Sequence, residues 1–330
     1  MEEQAYDLRR AGRRFSVVGF AFAALLLAGT LGNLLLSYLL PLIWGENDPL
    51  TGSRWWKWIV GFAPMYVFAF PACYLILRRQ PVSAPEKRPM TFGRFLQWLA
   101  VCFCMMYAGN LVGTVLSLLL SGGQAVNAIE GYAMDQSPLK VLVMVVLAPV
   151  SEELICRKVL IDRTRQYGEK NVVLLSGLVF GLLHQNLYQF FYAFALGSAF
   201  ALIYLRTGRV RHCILLHMII NFNGAVIAPA VLEALDLETM MRMDAASMEV
   251  EQLMELLPGL MAYMGYSMVL MGLVVFGLVL ILIKRRRLQW NETEEQLPRG
   301  TAFKTTWLNA GMILYTLLCL SGIVGALFLR

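Results

Sequence analysis

The chain has 330 residues, 58% of them hydrophobic and 15% charged, with a net charge of +6 and a mean hydropathy of +0.61. Soluble domains carry about 25% charged residues, so a chain this poor in charge cannot dress a water-facing surface, and the soluble classes are excluded. The positive balance is read as a topology signal, not as a nucleic-acid footprint, and no nucleic-acid partner is expected.

The apolar runs have spanning length. Residues 15–44, 58–77, 95–129, 256–283 and 305–329 contain no Asp, Glu, Lys or Arg, and a spanning helix needs about 20 largely apolar residues. Backbone groups in hydrocarbon must pair within their own segment, so each run is expected to be a helix. The pattern predicts an all-α, polytopic transmembrane helical bundle of about nine spans, near 16–40, 56–78, 94–120, 139–162, 172–187, 190–205, 212–230, 259–283 and 306–329. The first is expected to be an anchor, because its uncharged run exceeds a signal h-region. The charge-free stretch 171–205 is too long for one straight span, and Gln185-Asn186 through Gln189 is expected to turn it into a hairpin. Three regions follow: spans one to three in 1–137, a core of spans four to seven in 138–230, and an acidic loop with spans eight and nine in 231–330.

The loops orient the bundle. Arg9, Arg10, Arg13 and Arg14 precede the first span, and basic residues recur at 78–94, 163–170, 206–211 and 284–287. The alternate loops are acidic or sparse, and 231–258 carries Glu233, Asp236, Glu238, Asp244, Glu249, Glu251 and Glu255. By the excess of Lys and Arg in cytoplasmic loops, the N-terminus is expected inside and the C-terminus outside a plasma membrane. Trp55, Trp56 and Trp58 read as an interfacial belt, His212 as a loop residue, and 284–305 as a linker. The six cysteines show no paired spacing and read as reduced packing residues.

Span four reads APVSEELICRKVLIDR and places Glu152, Glu153 and Arg157 at membrane depth. Ionisable groups there are costly, so the default reading is functional. Glu153 and Arg157, at i and i+4, share a face and can pair. Glu152 points about 100° away and is left to hold a water or a ligand. Span five sets Phe180 and His184 on one face, and span seven does the same for His217 and Asn221. A carboxylate, two imidazoles and an amide suffice for hydrolysis, with a base for water and donors for the oxyanion. Glu152, Glu153, His184, His217 and Asn221 are expected around one cavity.

Glu-Glu-x-x-x-Arg, Phe-x-x-x-His and His-x-x-x-Asn, in this order on successive spans, resemble the signature of the CAAX-protease and bacteriocin-processing family, which includes the type II CAAX prenyl endopeptidases. The resemblance covers roughly 138–230. It implies an intramembrane endopeptidase acting on membrane-associated peptides or protein tails. Glu152 and His184 would activate water, His217 and Asn221 would hold the oxyanion, and Glu153 and Arg157, with Phe180, would support the site. Glu152, His184 and His217 are also a possible zinc ligand set, and a metal-free mechanism serves equally. The alternatives are a non-catalytic immunity or scaffold protein and a proton-coupled transporter. Rival protease signatures are absent. There is no His-Glu-x-x-His, Leu174 stands where a Gly-x-Ser-Gly motif needs its first Gly, and no Asp is placed inside a span.

Overall fold

Helix is the secondary structure that a charge-poor chain in hydrocarbon can afford, and among the described residues there is no strand. The structure is a computed structural model and describes residues 2–44, 49, 51, 53, 55–235 and 250–328. In chain order the helices are α1 (2–44), α2 (Trp56–Leu77), α3 (Phe92–Leu120), α4 (Ala128–Ala133), α5 (141–164) and α6 (Glu169–Leu183). They continue as α7 (Leu187–Thr207), α8 (Val210–Leu235), α9 (Val250–Lys284), α10 (Ala302–Trp307) and α11 (Ala310–Phe328). The chain is a polytopic helical bundle. Most of the acidic loop, 236–249, lies outside the described residues.

Each of the nine expected segments is a helix, but seven are long and apolar enough to cross a membrane. The two that fall short are α5 and α6, which carry the first two motifs. Helix α5 holds Glu152, Glu153, Arg157, Lys158, Asp162 and Arg163, too many charges for a lipid-facing span. Helix α6 has 15 residues, about 22 Å at 1.5 Å per residue, against about 30 Å of hydrocarbon. Burial resolves the difficulty, since α6 is covered along nearly its whole length from Val172 to Leu183. Irregular or polar backbone at membrane depth is tolerated where protein surrounds it.

The turn between α6 and α7 falls where the polar residues predict it. Gln185 adopts a left-handed φ of 52°, and the Asn186 side chain caps α7 by accepting the Gln189 N–H at 2.9 Å. The two helices then cross closely. A Cβ on Gly177 would stand 2.1 Å from Ser198 Oγ and 2.9 Å from the Phe194 carbonyl. Gly177 and Gly181 together form the small-xxx-small face that lets helix backbones meet in membranes.

The loops gather at two ends. At one, Arg163 donates to the Leu77 carbonyl at 2.6 Å, Arg165 to the Ser83 carbonyl, and the Arg88 amide to the Thr207 carbonyl. The 284–305 segment is more than a linker, since Asn291 and Arg206 both bond Glu169 there and Thr293 bonds the Gln166 carbonyl. At the other end, Lys57 pairs with Asp135, Gln136 donates to Glu233 and Tyr188 donates to the Ala125 carbonyl. Trp58 belongs to this end but not to a belt: it is 2% exposed and packs on Phe62 and Tyr132. All six cysteines are free and buried, as expected.

Candidate active site

The site starts from a helix that departs from α geometry twice. In α5 the segment Ala148–Glu153 is α-helical, but Val141–Leu147 before it and Leu154–Val159 after it are π-helical. Pro149 explains the first departure. Its ring lacks an N–H and crowds the carbonyl one turn back, and a π turn, where the Ala148 N–H reaches back to the Val143 carbonyl, widens the helix there. π segments are frequent at functional sites. Here they frame the two glutamates.

The two glutamates have separate fates. Glu153 is fully buried and pairs with the equally buried Arg157, Nε to Oε2 at 2.9 Å and Nη2 to Oε1 at 3.1 Å. Arg157 Nη1 donates to Ser176 Oγ at 3.1 Å, and Ser176 donates to the Cys156 carbonyl at 2.8 Å. The guanidinium lies over the Phe180 ring at 4.5 Å and near that of Phe200 at 5.6 Å, so its charge is met by a carboxylate and two ring faces. Glu152 takes no part in that pair. His217 Nε2 lies 3.9 Å from its Oε2.

Both imidazoles are fixed by their second nitrogen. His217 Nδ1 lies 3.1 Å from Glu153 Oε1. A carboxylate oxygen accepts, so Nδ1 carries the proton, and Nε2 faces Glu152. His184 Nδ1 lies 2.8 Å from the Phe180 carbonyl, and by the same reasoning its Nε2 holds the lone pair. Phe180 meets both rings edge-on, at 5.0 Å from His184 and 5.8 Å from His217. Asn221 donates through Nδ2 to the Met144 carbonyl at 2.7 Å, which occupies one of its two amide hydrogens and ties α8 to the first π segment.

Glu152, Phe180, His184, His217 and Asn221 line one cavity of about 560 Å³, so α5, α6 and α8 converge as the three motifs predict. Glu153 does not line it. It sits behind His217, where it pairs with Arg157 and accepts from the imidazole. Glu152, His184 and His217 all line the cavity; among the described residues no group of three His, Cys, Asp or Glu side chains is placed so as to hold a metal ion.

Further polar residues line the cavity, among them Asn110, Gln189, Tyr192 and Asn223. Asn186 Nδ2 donates to Gln189 Oε1 at 2.7 Å, and Gln189 Nε2 donates to the Tyr192 hydroxyl at 2.8 Å, which leaves the phenol proton for another acceptor. Tyr192 also packs beside His184, with ring centroids 6.5 Å apart. Gln189 and Tyr192 lie about one helical turn apart in α7; the sequence reading took Gln189 only as part of the turn.

Two expectations are corrected here. His212 is not a loop residue: it lies in the first turn of α8 and is 8% exposed. Asp162 is buried within α5, where it accepts from Tyr204 Oη at 2.7 Å and pairs with Lys158 at 3.1 Å. It is part of the basic end's scaffold, so the expectation of no Asp inside a span does not hold.

Comparison with known proteins bears on the same segment. Residues 135–223 match the family described as type II CAAX prenyl endopeptidase, Rce1-like. A curated relative is "Putative membrane peptidase YdiL" of Bacillus subtilis (strain 168), 26% identical over 166 residues, which are 47% of this chain and 67% of that protein. No solved structure matches the chain. The family resemblance carried by the motifs is thus borne out: residues 135–223 are similar to the Rce1-like CAAX prenyl endopeptidases, and at the level of family the comparisons support a membrane protease.

Proposed function

We propose that the chain is an intramembrane endopeptidase that hydrolyses membrane-associated peptide or protein segments through a water activated by Glu152. The observation that carries this reading is the division of labour between adjacent glutamates. Glu153 is paired with Arg157 and bonded to His217, whereas Glu152 lines the cavity that His184 and His217 also line.

In this reading a water held between Glu152 and His184 adds to the substrate carbonyl, and Glu152 takes its proton. The oxyanion that forms meets His217 Nε2 and the remaining amide hydrogen of Asn221, with His217 charged as an imidazolium and Glu153 balancing it from Nδ1. The C–N bond then breaks, and the proton on Glu152 passes to the departing amine. The chemistry is general-base catalysis with oxyanion stabilisation, and no step is routed through a metal.

The test is product formation by the purified chain in detergent on membrane-derived peptides, read by mass spectrometry. Glu152→Gln keeps the shape and removes the base, so cleavage should fall on the order of 10²–10⁴ while peptide binding persists. Binding without cleavage in the wild type would identify a scaffold instead.

A further inference from the structure

The amides around the α6–α7 turn decide where one proton can go. Asn186 Oδ1 accepts the Gln189 backbone N–H at 2.9 Å, and Asn186 Nδ2 donates to the His184 carbonyl at 2.9 Å. A backbone N–H only donates and a carbonyl only accepts, so these two contacts set which end of the Asn186 amide carries hydrogen. Its second hydrogen goes to Gln189 Oε1 at 2.7 Å, which leaves Gln189 Nε2 to reach the Tyr192 hydroxyl at 2.8 Å. The Tyr192 oxygen is therefore an acceptor toward Gln189. Among the described residues Gln189 is its only hydrogen-bond partner, so the phenol proton is free to donate, and Tyr192 lines the cavity.

The residue stands on a braced helix. Gly109 and Gly113, at i and i+4 on α3, let α7 come so close that a Cβ on Gly109 would lie 2.5 Å from Tyr192 Cα. One on Gly113 would lie 2.5 Å from the Leu187 carbonyl oxygen. Small residues at this spacing are what close backbone approach in a membrane needs. Among the described residues no Lys or Arg lines the cavity, so its donors are amides, hydroxyls and imidazoles, beside the carboxyls of Glu130 and Glu152. A peptide segment must leave its helix before water can reach a scissile bond. Each carbonyl released in that way is costly to bury without a donor.

We propose that Tyr192 is a substrate-binding residue: its hydroxyl donates to a main-chain carbonyl of an unwound peptide segment, flanking the bond that is cut. Gln189 and Asn186 are the positioning residues that turn its proton away from α7 and toward the ligand. The cutting of a bond rests on the protease reading above, whereas the donor rests on the order of hydrogen bonds. In that reading His217 and Asn221 serve the oxyanion from α8. Tyr192 comes from α7, beside His184, and so holds the chain rather than the reacting carbonyl. No bond is made or broken at its oxygen.

Two readouts on the full chain in detergent test it, with a fluorophore-tagged, N-acetylated Leu-Ala dodecapeptide amide as the probe. The first is affinity in a Glu152→Gln background, where the probe is not consumed. Tyr192→Phe removes the proton and keeps the ring, and it should weaken binding roughly fivefold, the scale of one neutral hydrogen bond. Gln189→Leu, which frees the hydroxyl to turn, should weaken it less. The double variant should bind no worse than Tyr192→Phe alone, because both changes act on one bond. Gln189→Leu also keeps the test open should Tyr192→Phe fold poorly. Unchanged affinity in the single variants, or losses that add in the double, overturns the proposal, as does a wild-type chain that does not bind the probe. The second readout is cleavage with Glu152 intact. Tyr192→Phe should raise KM roughly fivefold at unchanged kcat. A fall in kcat at constant KM would send the proton to Glu152, His184 or the reacting carbonyl instead, and would overturn the assignment. If the wild type binds the probe but never cleaves it, the protease reading fails, and the affinity series still decides the role of Tyr192.

Discussion

Removing Arg157 should unfold the site from behind. The side chain is completely buried, and it holds Glu153 by two contacts, Ser176 by one and the Phe180 face by a fourth. In Arg157→Ala, Glu153 keeps only the His217 Nδ1–H, and its buried charge loses the guanidinium. Breaking a buried pair in this way costs about 3–5 kcal/mol, a large share of the roughly 5–15 kcal/mol that holds a typical domain. Six buried cysteines provide the assay: a thiol-reactive dye reports unfolding in detergent as they become exposed. Arg157→Ala should take up dye at a clearly lower temperature than wild type and accumulate poorly in membranes. The double variant Glu153→Leu with Arg157→Met separates structure from function. An apolar replacement of a buried pair is often neutral for stability, so the thermal midpoint should recover. Activity should not, because His217 loses the carboxylate that orients its ring and balances its charge. A wild-type midpoint in Arg157→Ala would refute the energetic argument. Full activity in the double variant would refute the positioning role of Glu153.

Other outcomes follow from the same geometry. Asn221→Ala should lower the cleavage rate about 10²–10³ by loss of an oxyanion donor, and it should also loosen α8 from Met144, so its midpoint should be measured with its rate. Gly177→Val should weaken the α6–α7 crossing by about 1–3 kcal/mol through overpacking against the Phe194 carbonyl, read as a drop in the thermal midpoint; an unchanged midpoint would remove the close-approach argument. The Lys57 ammonium beside Asp135 holds that carboxyl below its usual range. A depressed carboxyl contributes stability above its unfolded pKa and loses it as pH falls through the folded value. Loop 121–140 should therefore open to proteolysis only under clearly acidic conditions, below the ordinary Asp range, and Lys57→Met should move that opening to higher pH.

The motif residues were legible because charge at membrane depth is rare, so Glu152, Glu153 and Arg157 stood out against their apolar surroundings. Their i,i+4 spacing was enough to pair Glu153 with Arg157 and free Glu152. The role of Glu153 toward His217 was not legible, because it depends on how α8 packs on α5. The shortness of α6 was hidden for a similar reason: its apolar run continues without a charge through α7, and only the turn at Gln185 divides them. Tyr192 escaped notice, and Gln189 was read only as a turn residue, because a Tyr or Gln in an apolar helix looks the same whether it faces a cavity or an interface. Asp162 and His212 are the end residues of the expected spans 139–162 and 212–230 and were read as lying outside them, because helix ends are the least certain part of a sequence reading.

The central claim is that Glu152 activates water for peptide hydrolysis. Its most direct test is single-turnover cleavage of one membrane peptide by the purified chain in isotopically labelled water, wild type against Glu152→Gln, each with and without chelator. The account predicts that wild type places one labelled oxygen in the new carboxylate whether or not chelator is present, and that Glu152→Gln binds the peptide but slows cleavage on the order of 10²–10⁴. Cleavage at the wild-type rate in Glu152→Gln, or a reaction that chelator abolishes, would contradict it.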